Sequence, residues 1–536
     1  MRFRPHTFTA VLLALVLMPG VSGQERGGAR DMGFIRSVNP WLSSENAAGL
    51  SALPVGRISV AEARFGKQDG GLVGNDGSPD SFNAEAQTES FIRISDRMSF
   101  YGRLSYSYFK GKEMGGPVLM DPSYNPINFY ESSDTTLGIK NRELYRLIGG
   151  ISYALNDRWS LGAKIDYTGG DQAKQKDPRF LNVWLDMNLS AGFRWTPSER
   201  LSIGADLRYK RTVEQIEANQ YGTTDKQYFT FIDLGGYYGS RELFEGIFGY
   251  VAVGDTRPMF NSLYGASLQI ETGKRIRIFN EITYLRRAGY FGEKSSTTVT
   301  FTEHSGNILK YRGVLLIGNG KKDMHRVGLD LSYEGLVNGE NIYRMNTNVG
   351  ENTTVEYFGQ NEVLDRTDIN AALSYTGYRG IIDFRPEWEY GAGAGFSSRT
   401  SLTTIYPFYR ESRISTMDFS AYGARNIRKD GRNIFTVRLE AGFAAGFGNP
   451  ASDGMFTGST SDAPRSADIY MNRDFEYRTM SRIKGLFTFR YTRLFKENIA
   501  AYIEVGDDYA NLLGGPPTAL CGTFRNMFHI TAGCTF

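Results

Sequence analysis

Trp159-Ser160-Leu161-Gly162-Ala163-Lys164-Ile165-Asp166-Tyr167 decides the fold class. Trp159, Leu161, Ala163, Ile165 and Tyr167 fall on one side of an extended chain; Ser160, Gly162, Lys164 and Asp166 fall on the other. Successive side chains of a β-strand point to opposite faces, so a period of two marks a strand with one apolar and one polar surface. The pattern returns in Val183, Leu185, Met187, Leu189, Ala191, Phe193 and Trp195, and in Ile203, Ala205, Leu207 and Tyr209 against Asp206, Arg208 and Lys210. It returns again in Val327 to Tyr333, in Ile369 to Tyr375 and in Phe435 to Phe443. Each run lasts roughly ten residues, the length that crosses a bilayer as a strand tilted by about 40°.

Alternation also fits a soluble sandwich, and two further features discriminate. Connections alternate between tight polar turns (Ser95–Arg97, Asn156–Arg158, Thr196–Arg200, Gly273–Arg275) and long segments at 110–142, 214–260, 335–365 and 446–479. Outer-membrane barrels have short periplasmic turns and long extracellular loops. Aromatics also gather at strand ends: Tyr108, Tyr167, Tyr209, Tyr284, Tyr333 and Tyr390 at one end, Tyr153, Trp195, Tyr375, Tyr491 and Phe536 at the other. Two aromatic belts at the membrane interfaces explain this placement. The fold class expected is an all-β, transmembrane antiparallel β-barrel of about eighteen strands, with sixteen to twenty also compatible. The runs are 57–66, 84–95, 98–109, 143–155, 159–168, 182–195, 201–212, 261–272, 276–287, 307–317, 325–334, 366–376, 380–391, 412–424, 433–445, 480–494, 498–508 and 522–536. Residues 227–254 read as outer strand extensions or as an additional hairpin.

Residues 1–23 read as a secretory signal peptide: Arg2 and Arg4 precede the apolar run Ala10–Met18, Pro19-Gly20 breaks it, and Val21-Ser22-Gly23 offers a small-residue cleavage site near Gly23. The run is too short to span about 30 Å of hydrocarbon. At the other end Phe524, Asn526, Phe528, Ile530, Ala532, Cys534 and Phe536 share one face of a last strand. This resembles the terminal-strand signal of Gram-negative outer-membrane barrels, with Phe528 and Phe536 as the assembly signal and the barrel-assembly machinery as the implied partner. Cys521 and Cys534 would stand about 43 Å apart along an extended strand, against the ~7 Å a disulfide allows.

Composition excludes several functions. The chain has 536 residues, 61 Lys+Arg against 58 Asp+Glu, 2 Cys and 4 His. Near-neutral charge disfavours a nucleic-acid partner. So few cysteines and histidines suggest no metal site, no cofactor and no catalytic constellation; His529 has no orienting carboxylate or nucleophile at a useful spacing. An enzyme is not expected. Mean hydropathy is only −0.36, which a barrel permits because alternate residues face lipid.

The polar face of the strands supplies candidate pore-lining residues. Asp383, Arg385, Glu387 and Glu389 read as an acidic ladder holding one arginine; Arg482, Lys484 and Arg490 read as a basic ladder two strands on, with Arg438 and Glu440 between. Opposed ladders set a transverse field across a pore, although a polar wall closed by salt bridges has the same composition. A lumen of eighteen strands is too wide for side chains to fill. Residues 24–56, ahead of a barrel at 57–536, are the candidate to obstruct it, either as a lumenal hatch or as a periplasmic tail. Here Asn39, Pro40, Trp41, Asn46, Gly49 and Leu50 are the hatch residues, with Ser43 or Ser44 capping a short helix that Gly49 ends. The segment is too short for the plug domain of a TonB-dependent receptor.

Asn39-Pro40 and Ala48-Gly49-Leu50 resemble the start of long-chain fatty-acid transporter barrels. Those barrels have fewer strands and the match covers about a dozen residues, so no ligand is carried over. With its leader, aromatic hairpins and Phe536, the mature chain resembles uncharacterised outer-membrane barrels common in Bacteroidota, which implies location and fold. The function expected is a passive channel or facilitated transporter for small polar nutrients, embedded among outer-membrane lipids. The alternative is a non-transporting barrel whose outer loops bind a surface partner protein or ligand as an accessory to nutrient uptake. Deleting Phe536 is expected to lower the amount of folded barrel in the membrane fraction; unchanged yield and heat-modifiable mobility would remove its assembly role.

Overall fold

The structure is a computed structural model that describes residues 30–131, 136–222, 225–244, 249–318, 320–346, 353–496 and 499–536. The expected leader and residues 24–29 lie outside the described residues. Eighteen strands form one closed antiparallel barrel. They are β1 Arg57–Asp69, β2 Asp80–Arg93, β3 Met98–Met114, β4 Gly138–Ala154, β5 Trp159–Lys174, β6 Arg179–Ser198, β7 Leu201–Asn219, β8 Thr256–Gly273 and β9 Ile276–Gly292. They continue as β10 Thr300–Gly318, β11 Asp323–Asn346, β12 Thr354–Arg379, β13 Trp388–Ile405, β14 Phe408–Arg428, β15 Asn433–Met455, β16 Arg482–Lys496, β17 Ile499–Leu512 and β18 Phe524–Thr535. Each pairs with its neighbours in sequence, and β1 closes the circle against β18 from Val60 opposite Thr535 to Asp69 opposite Asn526. Closure removes the unpaired edge that a lipid-embedded sheet cannot keep. The ladder runs one residue past β18, where Phe536 and Ser59 exchange backbone bonds of 3.0 and 2.8 Å.

The period of two is realised as outside and inside. Trp159, Leu161, Ile165, Tyr167 and Tyr209 lie exposed on the outer face, and Leu207 is 71% exposed while its neighbour Asp206 is 3% exposed. An apolar band of this kind is the surface a bilayer covers. Belt aromatics lie in it, including the stacked Trp159–Trp195 pair at 5.7 Å.

Two expectations need correction. Residues 380–387 are not strand but a turn, in which Ile382 bridges Arg385 and Asp383 and Phe384 take φ of +45° and +59°. Pro386, with no N–H to donate, also falls there. Asp383, Arg385 and Glu387 therefore make no ladder with Glu389, and Tyr390 stands at the short-turn end of β13, 6.2 Å from Tyr375. The long segments at 335–365 and 446–479 are largely structured. β11 and β12 pair as far as Asn346 opposite Thr354, and β15 runs to Met455 before helix α2, Asp468–Thr479. Register shifts at Asn338/Gly339 and Ile342/Tyr343 break the alternation there, which hides these strands from a period-two reading.

Against the inner wall at the loop end of the barrel, Asn128–Glu131, Phe229–Asp233, Tyr238–Leu243 and Arg465–Ser466 make a separate four-stranded sheet. Its middle pair is a hairpin within 227–254, but formed by Phe229–Asp233 and Tyr238–Leu243 and joined through Gly235 and Gly236 at φ of +132° and +60°, while residues 250–253 are not a strand. It covers a second core in which Val118, Leu119, Ile127, Phe129, Ile232 and Leu234 pack against Phe180, Phe291 and Phe301 of the wall. Asp233 is buried in this hairpin, and although Gly235 N–H donates to it, burial pushes its carboxyl up to about 6. A raised folded pKa means the sheet is fully stable below the unfolded value near 4 and loses that share as pH rises through about 6. The protection factors of the Phe229–Asp233 amides, with intrinsic exchange divided out, should therefore fall between about pH 4 and 6, and Asp233→Asn should remove that fall.

Candidate functional site

The lumen is obstructed from both ends. Residues 30–56 lie inside the wall at the short-turn end as helix α1, Met32–Ser37, and two 3-10 turns, Pro40–Ser43 and Ala47–Ala52. Each element has a local cause. Asp31 caps α1 by accepting from Phe34 N–H at 3.0 Å, Pro40 opens the next turn, and Asn46 caps the last by accepting from Ala48 N–H at 3.1 Å. The cap is thus Asn46 rather than Ser43 or Ser44, and Gly49 lies within the turn rather than ending it. A Cβ on Gly49 would stand 2.7 Å from the Trp41 carbonyl oxygen, and one on the wall residue Gly162 would stand 2.1 Å from Ala48 N. Both glycines are places of close backbone approach.

Sequence singled out six residues of this segment, and all six are buried. Trp41 packs edge-on against Phe279 at 5.3 Å, lies under Arg194 at 4.9 Å and donates its indole N–H to Glu271 at 2.6 Å. The Asn46 amide donates to the Phe193 carbonyl at 2.9 Å, the Ala205 carbonyl at 3.3 Å and Gln269 Oε1 at 2.9 Å. Asn39 ties Pro40's turn to the Ala52 carbonyl at 2.7 Å, and Leu50 joins Leu53, Phe91, Tyr101 and Ile148 in an apolar cluster. Charge completes the seat. Arg36 pairs with Glu89, Lys164 with Glu45 at 2.8 Å, and wall residues Arg277 and Arg312 donate to the Val38 and Ser43 carbonyls at 2.7 and 3.1 Å.

From the loop end, the tip at 121–126 of the β3–β4 loop reaches inward, a feature the sequence reading missed. Arg287 stacks on the Tyr124 ring at 4.1 Å and donates to its carbonyl at 3.0 Å. Arg366 donates to the Tyr124 and Asn125 carbonyls at 3.2 and 3.1 Å, and Arg399 to the Ser123 carbonyl at 3.0 Å. The arginine side chain of Arg287 is wholly buried and paired with Glu334 at 2.7 Å. No linear motif announces this clamp, because its members come singly from β9, β12 and β13.

Between tip and plug lie polar chambers. One of about 420 Å³ sits under the loop tip and α2; a neighbour of about 300 Å³ continues down the wall; both are bordered by Asp418, Tyr477, Arg482 and Lys484. Glu440 lines the smaller chamber. Arg438 links Glu440 at 3.2 Å to Glu389 at 3.7 Å. The structure thus gathers Glu389, Arg438, Glu440, Arg482 and Lys484 on the β13–β16 wall. Arg490, paired with Glu504 at 2.8 Å, instead borders a cavity of about 370 Å³ beside the plug together with Arg385. Asp383 pairs with Arg30 at 3.3 Å, and Glu387 lies 3.8 Å from Arg425. The lumen therefore offers charged chambers, with a segment held by non-covalent contacts inside the wall at each end.

Residues 47–536 match the family of unknown function DUF6850. The chain belongs to that family. The matched span begins inside the plug, at Ala47. No curated protein matches the sequence. Among solved structures, the chain is similar to the outer membrane transporter YddB from Escherichia coli, with 9% identity over 89% of this chain and 81% of that one and a TM-score of 0.40. It is similar to the ferric-catecholate import receptor Fiu from E. coli K12 (8% identity, 89% and 82%, TM-score 0.36). It is also similar to a TodX deltaS2S3 mutant monoaromatic hydrocarbon channel (11% identity, 91% and 92%, TM-score 0.30).

Asn46→Ala removes the donor shared by two wall carbonyls and Gln269. A buried polar group left unpaired costs about 1–3 kcal/mol, so exchange of plug amides 40–52 should rise by roughly tenfold or more. Unchanged exchange would show that other contacts hold the plug.

Proposed function

We propose that this member of the DUF6850 family is a passive channel or facilitated transporter for small polar solutes in the outer membrane of a Gram-negative bacterium, with residues 24–56 as its hatch. The observation that carries the reading is the charged, chambered lumen with residues 30–56 seated in it by hydrogen bonds, ion pairs and apolar packing.

In this reading the short turns face the periplasm, the 115–137 and 220–255 loops face outward, and export follows cleavage near Gly23. Phe528 and Phe536, both turned to the lipid side, present the strand signal to the assembly machinery. The rows of Glu389, Arg438 and Glu440 and of Arg482 and Lys484 line the path, where mixed charge orders water and polar solutes. Arg490, Arg385, Asp383 and Glu387 border its plugged end.

Planar-bilayer recording tests this directly. Full-length protein should give small or rare conductance steps, and protein lacking residues 24–56 larger and more frequent ones. Silence in both forms, with the barrel shown to be folded by heat-modifiable mobility, would sink the channel reading.

A further inference from the structure

Strands β14, β15 and β16 carry charges that the barrel does not use for itself. Register places Asp418 opposite Ala444 and Ala444 opposite Arg482, and in the next row Ser420 opposite Gly442 and Gly442 opposite Lys484. An acid thus stands on one strand and two bases stand two strands away. Only an alanine and a glycine lie between them. With neighbouring strands about 4.8 Å apart, the acidic and basic backbone positions are separated by ~10 Å across a low floor.

The neighbouring charges are matched within the protein. Arg478 pairs with Asp474 at 2.9 Å, Arg525 with Asp508 at 3.3 Å, Arg438 with Glu440 at 3.2 Å and Arg399 with Asp368 at 2.5 Å. Asp418 and Lys484 are open to the lumen, and neither makes an ion pair or hydrogen bond with any described residue. Arg482 is held in place: its guanidinium lies over the Tyr477 ring at 4.9 Å and donates to the Tyr477 carbonyl. Asp418, Arg482, Lys484 and Tyr477 border both chambers, so a solute moving from one to the other passes them.

Opposite charges held apart across a trough select by charge pattern. A simple anion gains from Arg482 and Lys484 but is repelled by Asp418; a simple cation meets the reverse. A neutral polyol has no call on separated charges. A solute with an ammonium at one end and a carboxylate at the other satisfies all three. We propose that this junction binds the zwitterion of an amino acid or short peptide, its ammonium on Asp418 and its carboxylate on Arg482 and Lys484. The proposal rests on the reading of the lumen as a solute path and names the class of solute.

Equilibrium dialysis of radiolabelled Ala-Ala, succinate and glucose against detergent-solubilised full-length protein tests it. Ala-Ala should bind, and Asp418→Asn and Lys484→Gln should each weaken binding by at least about fivefold, the loss expected for one charge-assisted contact. Succinate should weaken with Lys484→Gln but strengthen with Asp418→Asn, and glucose should respond to neither. Both side chains are unpartnered in the lumen, and heat-modifiable mobility confirms that each variant is folded. Absence of Ala-Ala binding, or Ala-Ala binding indifferent to Asp418→Asn, overturns the site. Dialysis needs no permeation, so a protein that conducts in bilayers but fails here loses only this proposal, and one that binds here but stays silent in bilayers loses the channel reading.

Discussion

A wall surrounded by lipid has to pair all of its own backbone N–H and C=O groups. The pairing of β1 with β18 meets that requirement, and much else follows from it. Closure over eighteen strands sets a diameter that inward side chains cannot fill. The interior is then polar and hydrated, and any structure within it has to be supplied by other parts of the chain. Residues 30–56 do this at one end, and the 121–126 tip with the four-stranded sheet does it at the other.

Both inserts are held by the same chemistry. Short irregular segments cannot satisfy their own backbone carbonyls, and burying those carbonyls unpaired is costly. Wall arginines supply the missing donors: Arg277 and Arg312 to the plug, Arg287, Arg366 and Arg399 to the loop tip. The guanidinium suits this work because it presents several donors in a planar fork and also stacks on rings, as Arg194 does on Trp41 and Arg287 on Tyr124. The arginines spent on carbonyls differ from Lys484 and Asp418, which make no hydrogen bond or ion pair with any described residue and stand at the junction of the chambers. This division between structural and unspent charge is the physical basis for placing solute recognition on the β14–β16 wall.

Seventeen of the eighteen barrel strands were legible in sequence, because a wall with an apolar outside and a polar inside impresses a period of two on each crossing; the thirteenth was placed too early, at 380–391 against Trp388–Ile405. Legibility failed where that contrast ends. The extensions of β11 and β12 contain bulges, so their alternation is broken. The 380–387 segment alternates in charge yet forms a turn, since Pro386 and two left-handed residues interrupt pairing. For the same reason the acidic ladder dissolved: only Glu389 stands on the wall, while Asp383, Arg385 and Glu387 lie in the turn.

Local sequence alone determined the fold class, a strand count near eighteen and the inward or outward facing of most strands, because alternation depends on neighbours along the chain; the caps Asp31 and Asn46 act locally too, but were not singled out among several candidate capping residues. Only the tertiary structure decided which charges are spent and which are free. Arg366, Arg399, Arg482 and Lys484 look alike in a sequence; the first two are committed to a loop tip more than two hundred residues away, and Lys484 makes no hydrogen bond or ion pair with any described residue. That distinction arises from closure, which brings distant strands and loops around one lumen, and no local pattern encodes it.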